Sequence, residues 1–222
     1  MSVVSFYSGA GDGYVSRNSR PTWADAHDTA DGTSAQSSST TSLSVRAYHT
    51  DSAHYSIYRG QFPFNTSVGI DEGLLIVGGT LGVTNVTNPQ PETNLVLLQG
   101  FQADPTTLAI GDFDAFGSVE LAARQAYQSG SVGAQTIFTL NDAGLALINR
   151  AGWTMFCLRT EADFLNVEPA AAASNGPLIA PHGYATPAYQ PTLTLTLAAP
   201  SGSVPVELLR TRLIVQGVLQ NG

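Results

Sequence analysis

The residues best suited to bind a metal ion stand in one polar stretch, WADAHDTADG at positions 23–32. It contains Asp25, Asp28 and Asp31, with His27 among them. Calcium takes about six to eight oxygen ligands, and carboxylates close together in a loop can supply several of them. The spacing differs from that of an EF-hand loop, and aspartates are also common in ordinary turns. We expect no tightly bound cofactor, and Asp25, Asp28 and Asp31 are the candidate ligands for calcium.

Asp104, Asp112 and Asp114 form a second acidic group, next to Phe113 and Phe116. A glycosidase needs two carboxyl groups roughly 5 to 10 Å apart on either side of a sugar. Spacing along the chain does not supply that distance, and aspartates often serve as turn formers. The group therefore predicts no catalytic pair.

Candidate nucleophiles lack the partners that would activate them. Histidines stand at positions 27, 49, 54 and 182, but the chain contains neither a Gly-x-Ser-x-Gly elbow nor a His-Glu-x-x-His motif. Cys157 lies in an apolar run typical of a strand, where a free cysteine is usually an inert small hydrophobe. With no catalytic set in the sequence, we predict that the protein is not an enzyme.

Aromatic side chains offer a different function, the stacking of a sugar. Trp23 and Tyr7 lie in or beside predicted loops, so they are the candidate ligand-binding residues. The other aromatics alternate along predicted strands, and such residues usually belong to the core, since each buries roughly 150–250 Å². They are Tyr48, Tyr55, Tyr58, Phe62, Phe64, Trp153 and Phe156.

The charge of the chain argues against a polyanionic partner. The formal net charge is −8, and all nine basic residues are arginines. Affinity for nucleic acid comes mainly from Lys and Arg that neutralise phosphates. The first residues, MSVVSFYSGAGDG, lack the basic and apolar regions of a secretory signal, and no stretch reaches the ~18 apolar residues of a membrane span. We expect a product of the cytoplasm without a nucleic-acid or membrane partner.

The hydrophobic pattern predicts mostly β-strands. Residues 192–197, TLTLTL, alternate with the period of two that is typical of a half-buried strand. The polar residues 17–41 and the Ala-, Pro- and Gly-rich residues 169–191 predict long loops. With roughly nine to eleven strands, the predicted fold class is all-β, a jelly-roll-like β-sandwich with one or two short helices and long surface loops.

One helix has clear signals at both ends. Asn141 is a favourable N-cap, Asp142 stands in the first turn, and Gly152 is a suitable C-terminal stop. Residues 119–127 predict a further helical turn or two, lying across the end of a sheet.

Several segments together resemble the DNRLRE domain, a jelly-roll-type sandwich of secreted bacterial proteins and of tailed-phage structural proteins. They span residues 12 to 198 in the family's order, although Asn65 stands where the family often has an acidic residue. The resemblance implies a module that displays, binds or decorates, and the absent secretion signal favours the phage versions. The segments are Asp12-Gly13-Tyr14-Val15, Tyr58-Arg59-Gly60, Thr80-Leu81-Gly82-Val83, the helix 141–149 followed by strand 153–159, and Pro191-Thr192-Leu193-Thr194-Leu195.

The last 22 residues differ in character from the rest. We expect residues 1–200 to form one sandwich domain, followed by a Pro-Ser-Gly hinge at positions 200–202. Residues 201–222 are strongly apolar for a terminus, and they predict either a last strand of the sandwich or an arm that pairs with a neighbouring subunit. The residues expected to make assembly contacts are Leu208, Leu209, Arg210, Arg212, Leu213, Ile214 and Val215.

These observations lead to one main functional hypothesis and one alternative. The main hypothesis is a non-enzymatic virion structural protein of a tailed phage, decorating the capsid or forming part of the tail or fibre. Its partners would be other virion proteins and further copies of itself. The alternative is a carbohydrate-binding module that uses Trp23 and Tyr7 to bind a surface glycan, with calcium held by Asp25, Asp28 and Asp31.

Overall fold

The computed structural model describes residues 1–37, 39–50, 54–86, 93–127, 132–170 and 174–200. Within these ranges the chain forms fourteen strands and three short α-helices. In chain order they are β1 (Ser2–Tyr7), β2 (Gly13–Arg20), α1 (Trp23–His27), β3 (Ser34–Ser37), β4 (Leu43–Ser44), β5 (Arg46–His49), β6 (Tyr55–Asn65), β7 (Leu75–Thr84), β8 (Thr93–Gln99), β9 (Gln125–Tyr127), β10 (Gln135–Thr139), α2 (Asp142–Ala146), β11 (Trp153–Thr160), α3 (Glu161–Phe164), β12 (Ser174–Asn175), β13 (Leu178–Ile179) and β14 (Thr192–Ala198).

Two antiparallel sheets form the body of the molecule. The small sheet has four strands in the order β1-β14-β7-β10. The large sheet has eight strands, with the order β12-β5-β6-β11-β8-β9 and with β2 and β3 joined to β6 through β2. The short strands β4 and β13 pair with each other. The expected all-β sandwich with short helices is therefore confirmed.

The main core lies between the two sheets. Leu193 and Leu195 of β14 point inward from the small sheet, and Phe62, Phe64 and Phe156 meet them from the large sheet. All five side chains are fully buried. The alternating TLTLTL pattern explains the placement, because successive side chains of a strand point to opposite faces. Burial of these apolar side chains is the main stabilising term in the sandwich.

The large sheet is covered on its other face as well. Helix α1, a 3₁₀ turn at Ile110–Asp114 and helix α3 lie over it. Beneath them a second apolar cluster includes Val15, Ile57 and Phe113, and a third contains Val96, Leu98 and Cys157. The central strands of the large sheet are thus buried on both faces.

Of two sequence-based predictions of irregular structure, one is wrong and the other is largely correct. Residues 17–41 contain the second half of β2, all of α1 and all of β3 instead of one long loop. These elements are short and mostly polar, so they show no sustained hydrophobic period; α1 buries only Trp23 and Ala26. Residues 169–191 are largely irregular, as expected, but include β12, β13 and a 3₁₀ turn at Pro187–Tyr189.

The helix predictions are correct at one position and wrong at another. Asn141 caps α2 by accepting a hydrogen bond from the amide of Gly144, but the helix ends at Ala146, well before Gly152. Residues 119–127 form no helix. The amide of Leu121 donates instead to the carbonyl of Leu97, so this backbone pairs with a neighbouring strand.

The predicted C-terminal strand or arm, residues 201–222, lies outside the described residues, and so do its expected assembly contacts from Leu208 to Val215. The last described residues, Ala199 and Pro200, are exposed and directly follow β14.

Candidate functional site

The outer face of the small sheet carries no charge. None of its four strands contains Asp, Glu, Lys, Arg or His. Its inward positions hold the core leucines and phenylalanines, so threonines, serines, glycines and apolar residues remain for the outer face. Five large hydrophobic side chains of these strands are about half exposed or more, namely Val3, Tyr7, Leu75, Val77 and Ile137.

The strand register aligns this face into rows across all four strands. One row consists of hydroxyl-bearing residues, and in it the Ser5 and Thr194 side-chain oxygens lie 3.1 Å apart in a hydrogen bond. The next row ends in exposed apolar residues on both sides. The two rows are Ser5, Thr194, Thr80, Thr139 and Tyr7, Thr192, Gly82, Ile137.

A shallow depression lies in the middle of the face, where Gly82 has no side chain to fill it. Its volume is about 140 Å³, and it is lined by Thr80, Gly82, Gln135, Ile137, Thr192 and Thr194. A methyl group added to Gly82 would approach Gln135 Nε2 to 3.0 Å, so the glycine keeps this position open. The depression can receive an aliphatic side chain of a partner, whose apolar surface would contact the threonine methyl groups.

An uncharged sheet face of this kind is unusual on a protein that works alone. Contiguous exposed apolar surface on a folded protein commonly marks an interaction site. A partner that covers this face removes Val3, Leu75 and Ile137 from water without desolvating any charged side chain of the four strands. The predicted ligand residue Tyr7 lies at one corner of the face and is 55 % exposed. We therefore take this face as the candidate functional site.

Trp23, the other predicted ligand residue, is not at the surface. It is 9 % exposed and belongs to the cluster beneath the cover of the large sheet. Its indole N–H donates to Asn166 Oδ1 at 2.7 Å, and its ring stacks on His27. The prediction that Trp23 lies in a loop, available to a sugar, is wrong because the residue begins helix α1 and turns inward.

A buried ion cluster links the large sheet to helix α3 and to the 3₁₀ turn at Ile110–Asp114, two of the elements that lie over it. Asp163 of α3 is fully buried and accepts hydrogen bonds from Arg59 of β6 and from Arg159 of β11, at distances of 2.7–3.0 Å. The Arg59 guanidinium also lies 3.9 Å from the centre of the Phe113 ring and donates to the Phe113 carbonyl. Burial alone would raise the pKa of Asp163, but the two guanidinium groups hold it well below its ordinary value. The carboxylate is therefore charged and structural.

The three candidate calcium ligands, Asp25, Asp28 and Asp31, each make a different local contact. Asp25 accepts a hydrogen bond from the Thr22 hydroxyl at the start of α1. Asp28 lies 2.5 Å from the Nδ1 atom of His27, and the Asp31 carbonyl accepts from Arg17. Among the described residues, no three His, Cys, Asp or Glu side chains are grouped so that they could hold a metal ion. Calcium binding stays a prediction, without a preformed site at these positions.

The second acidic group, Asp104, Asp112 and Asp114, lies in a loop that its carboxylates help to stabilise. Asp112 is buried and accepts hydrogen bonds from the amides of Ala103 and Ala109, which close the loop around it. Asp104 accepts from Thr106, and these bonds lower its pKa. The Asp114 side chain is largely exposed and lies 3.5 Å from Arg59. Each carboxylate thus has a local structural role.

Asp12, which the sequence analysis noted only as part of a family-like segment, is a buried acid. Its side chain is fully buried, and Oδ2 accepts from the Ser8 hydroxyl at 2.7 Å and from the His182 amide at 2.6 Å. Among the described residues, neither its Oδ1 atom nor Nδ1 of His182 has a hydrogen-bond partner. Burial raises the pKa of Asp12 to about 6, against the lowering effect of the hydrogen bonds.

Cys157 is expected to be unreactive in the folded protein. Complete burial raises the pKa of its thiol to about 12, which leaves almost no thiolate at neutral pH. We predict that a thiol reagent such as Ellman's reagent does not label the native chain at pH 8. After unfolding in guanidinium chloride, one thiol per chain should react. Rapid labelling without denaturant would show that the strand β11 opens or that the thiol is accessible.

Two further surface features are weaker candidates. A groove of about 470 Å³ lies beside β8, β9 and α3, but its polar residue Glu161 is already bonded to Asn94 and Arg124. Tyr48 stacks on Tyr58 at the opposite end of the large sheet, and Tyr14 packs against Tyr58 edge-on. All three tyrosines are half-buried. This tyrosine cluster is a surface that could take a sugar ring.

The chain matches no protein-family model and no curated protein sequence. The resemblance to the DNRLRE domain therefore rests on the residues that suggested it and stays a prediction. In the part of the chain that the structure describes, no helix has the length and apolar character needed to cross a membrane.

Proposed function

We propose that the protein is a non-enzymatic structural protein that works by assembly, with the outer face of the small sheet as its contact surface. The observation that carries this proposal is the absence of charge from all four strands, together with the exposed Val3, Leu75 and Ile137. Partners that share an apolar and hydroxyl-rich surface can cover this face at little desolvation cost. Further copies of the chain are among those partners.

The place of assembly that we propose is the virion of a tailed phage, with the protein made in the host cytoplasm. It would decorate the capsid or form part of the tail or fibre, beside other virion proteins. The support for this part is the resemblance of residues 12–198 to DNRLRE modules of phage structural proteins and the lack of a catalytic set in the sequence. Fold resemblance by itself does not establish a function, so the contact surface is the part to test first.

A charge placed in the hydroxyl row should block assembly. We predict that Thr194→Glu weakens self-association of the full chain by at least about thirtyfold, because a buried and unpaired carboxylate costs about 2 kcal/mol or more. Thr194 is half-exposed, and its described neighbours across the sheet are Ser5 and Thr80, which supply no cation for the new carboxylate. Sedimentation velocity over a concentration series measures the change.

The matched control is Val119→Glu, which introduces the same charge at a position that is 59 % exposed and outside the small sheet. It should associate like the natural chain. Equal association of the natural chain and Thr194→Glu would contradict the proposed surface. A natural chain that stays monomeric, alone and with its particle proteins, would contradict assembly as the function.

A carbohydrate-binding function remains the second candidate because of the half-buried tyrosine cluster. Stacked aromatic rings provide the faces on which sugar rings pack. The candidate no longer includes Trp23, and calcium would have to bind without a preformed site. Binding to one sugar class on a glycan array, lost in Tyr58→Ala and retained in Thr194→Glu, would favour this function over assembly through the small sheet.

A further inference from the structure

One edge of the small sheet, formed by β1, is not covered by any strand in the described part of the chain. Strand β1 is its outermost strand and, among the described strands, pairs with β14 alone. Natural edge strands usually carry charges, prolines or bulges that prevent another chain from pairing with them. The sequence of β1, SVVSFY, contains no charge and no proline, and its pairing with β14 is regular from Ser2 to Tyr7. The edge can therefore accept another strand.

The register shows which main-chain groups face that edge. The amide of Ser8 donates to the carbonyl of Pro191 at 3.0 Å, one position beyond the pair formed by Tyr7 and Thr192. In an antiparallel pair, residues with hydrogen bonds to the partner strand alternate with residues without them. The even-numbered residues of β1 therefore bond to β14. The amides and carbonyls of Val3, Ser5 and Tyr7 point to the open edge.

The chain itself contains a segment with the pattern of an edge strand. Within residues 208–215, LLRTRLIV, one side of an extended strand would carry Leu209, Thr211, Leu213 and Val215, and the other would carry Leu208, Arg210, Arg212 and Ile214. Both charges thus stand on one side, and the other side is apolar except for Thr211, which suits a strand with one face buried and one face in water. A strand added beside β1 has such surroundings, because its inner side meets the partly buried Val4 and the core residue Phe6.

We propose that residues 208–215 of a second copy of the chain add to the free edge of β1 and form a fifth strand of the small sheet. This inference rests on the proposed function, since it names the partner and the edge through which one copy holds the next. Main-chain hydrogen bonds to Val3, Ser5 and Tyr7 supply the affinity, and Leu213 and Val215 supply apolar contacts.

The direction of the strands favours a second copy over the same chain. Strand β14 ends beside Ser2, where β1 begins. A segment that continued from β14 along the free edge of its own β1 would run parallel to β1, in a sheet whose described pairs are all antiparallel. A segment from another copy can approach in the antiparallel direction, which is the commoner and slightly more stable pairing.

The linker before the segment sets how far it can reach. Seven residues, 201–207, separate Pro200 from the segment, and at about 3.3 Å per residue they can span roughly 23 Å between the two copies. The six residues of β1 need a partner of only about 20 Å, which residues 208–215 can supply.

Two full-length variants test the pairing from its two sides. Ser5→Pro removes an amide that faces the open edge and leaves the hydrogen bonds to β14 in place. Leu213→Asp with Val215→Asp removes the apolar side of the donated segment. We expect each variant to lose at least tenfold in self-association. The control Val119→Asp with Val167→Asp, at two exposed positions outside the small sheet, should associate like the natural chain.

Mixing the two variants identifies the source of the added strand. Ser5→Pro retains a natural donor segment, and the double Asp variant retains a natural edge, so their mixture should form a one-to-one complex by native mass spectrometry. If no such complex forms, a second copy is not the donor and the proposal is overturned. Should Ser5→Pro fail to fold in circular dichroism, Val3→Pro takes its place, because its amide faces the same edge.

The outcomes also separate this inference from the proposed function. If Thr194→Glu abolishes association whereas Ser5→Pro and the double Asp variant associate normally, the strand donation is wrong and the contact face stands. If all of these variants associate like the natural chain, both proposals are wrong.

Discussion

Replacement of Asp163 by Ala should destabilise the fold by about 4 kcal/mol or more, the largest single effect that we expect. The substitution leaves Arg59 and Arg159 buried without their shared carboxylate, and breaking a buried ion pair from one side typically costs about 3–5 kcal/mol. Asp163→Asn keeps the shape of the side chain but not the charge, so it should be strongly destabilised as well. Urea unfolding at pH 7 measures both values.

The pH dependence of this effect has a definite sign. Because the two arginines hold the pKa of Asp163 below its unfolded value, the carboxylate contributes its full stability above about pH 4. That contribution decreases as the pH falls through the lower folded pKa. The stability difference between the natural chain and Asp163→Asn should therefore be constant near neutrality and shrink in strong acid.

The matched control is Asp114→Asn, which removes a largely exposed carboxylate 3.5 Å from the same Arg59. Exposed ion pairs contribute little, so its effect should stay within about 1 kcal/mol. Equal stability of Asp163→Ala and the natural chain would show that the cover over the large sheet does not depend on this ion cluster.

Asp12→Asn should stabilise the protein at pH 8, by up to about 3 kcal/mol. The pKa of Asp12 is about 6 in the folded chain against 3.8 for an unperturbed carboxyl group, and each pKa unit corresponds to about 1.4 kcal/mol. The folded state thus retains the proton more strongly than the unfolded state does. The stability linked to this group is full below about pH 4 and is lost as the pH rises through 6.

An Asn side chain stays neutral at every pH and can still accept the hydrogen bonds from Ser8 and His182. Denaturation curves of the two proteins should therefore nearly coincide at pH 4 and separate progressively toward pH 7. Asp104→Asn is the control, since its pKa is lowered by Thr106 and it should gain nothing. An Asp12→Asn chain that is less stable than the natural one at pH 8 would contradict a buried charge at this position.

The sandwich could be predicted because strands such as β14 have one buried face. In β14 the alternation of Thr and Leu follows the alternation between a buried and a more exposed side. Strand β2 and helix α1 could not be predicted in this way. Strand β2 belongs to the large sheet, which is buried on both faces, and helix α1 lies over that sheet, so neither sequence shows the simple alternation of a two-layered sandwich.

The candidate site could be predicted only in part from the sequence. The lack of charge in each of the four small-sheet strands is visible in the sequence, but these strands lie far apart along the chain. Their alignment into rows depends on a register that only the fold supplies. The same limit applies to the ion cluster, because Arg59 and Asp163 are 104 positions apart and nothing local links them. Trp23 was misplaced since a short helix buries it.

Hydroxyl-radical footprinting of the full chain, at concentrations where it is assembled and where it is dispersed, tests the contact face most directly. Oxidation of Tyr7, Leu75 and Ile137 should fall on assembly, whereas the similarly exposed Phe101 and Leu165, which lie outside the small sheet, should be oxidised equally in both states. Unchanged oxidation of the three small-sheet residues, with protection at Phe101 or Leu165, would show that the protein assembles through a different surface.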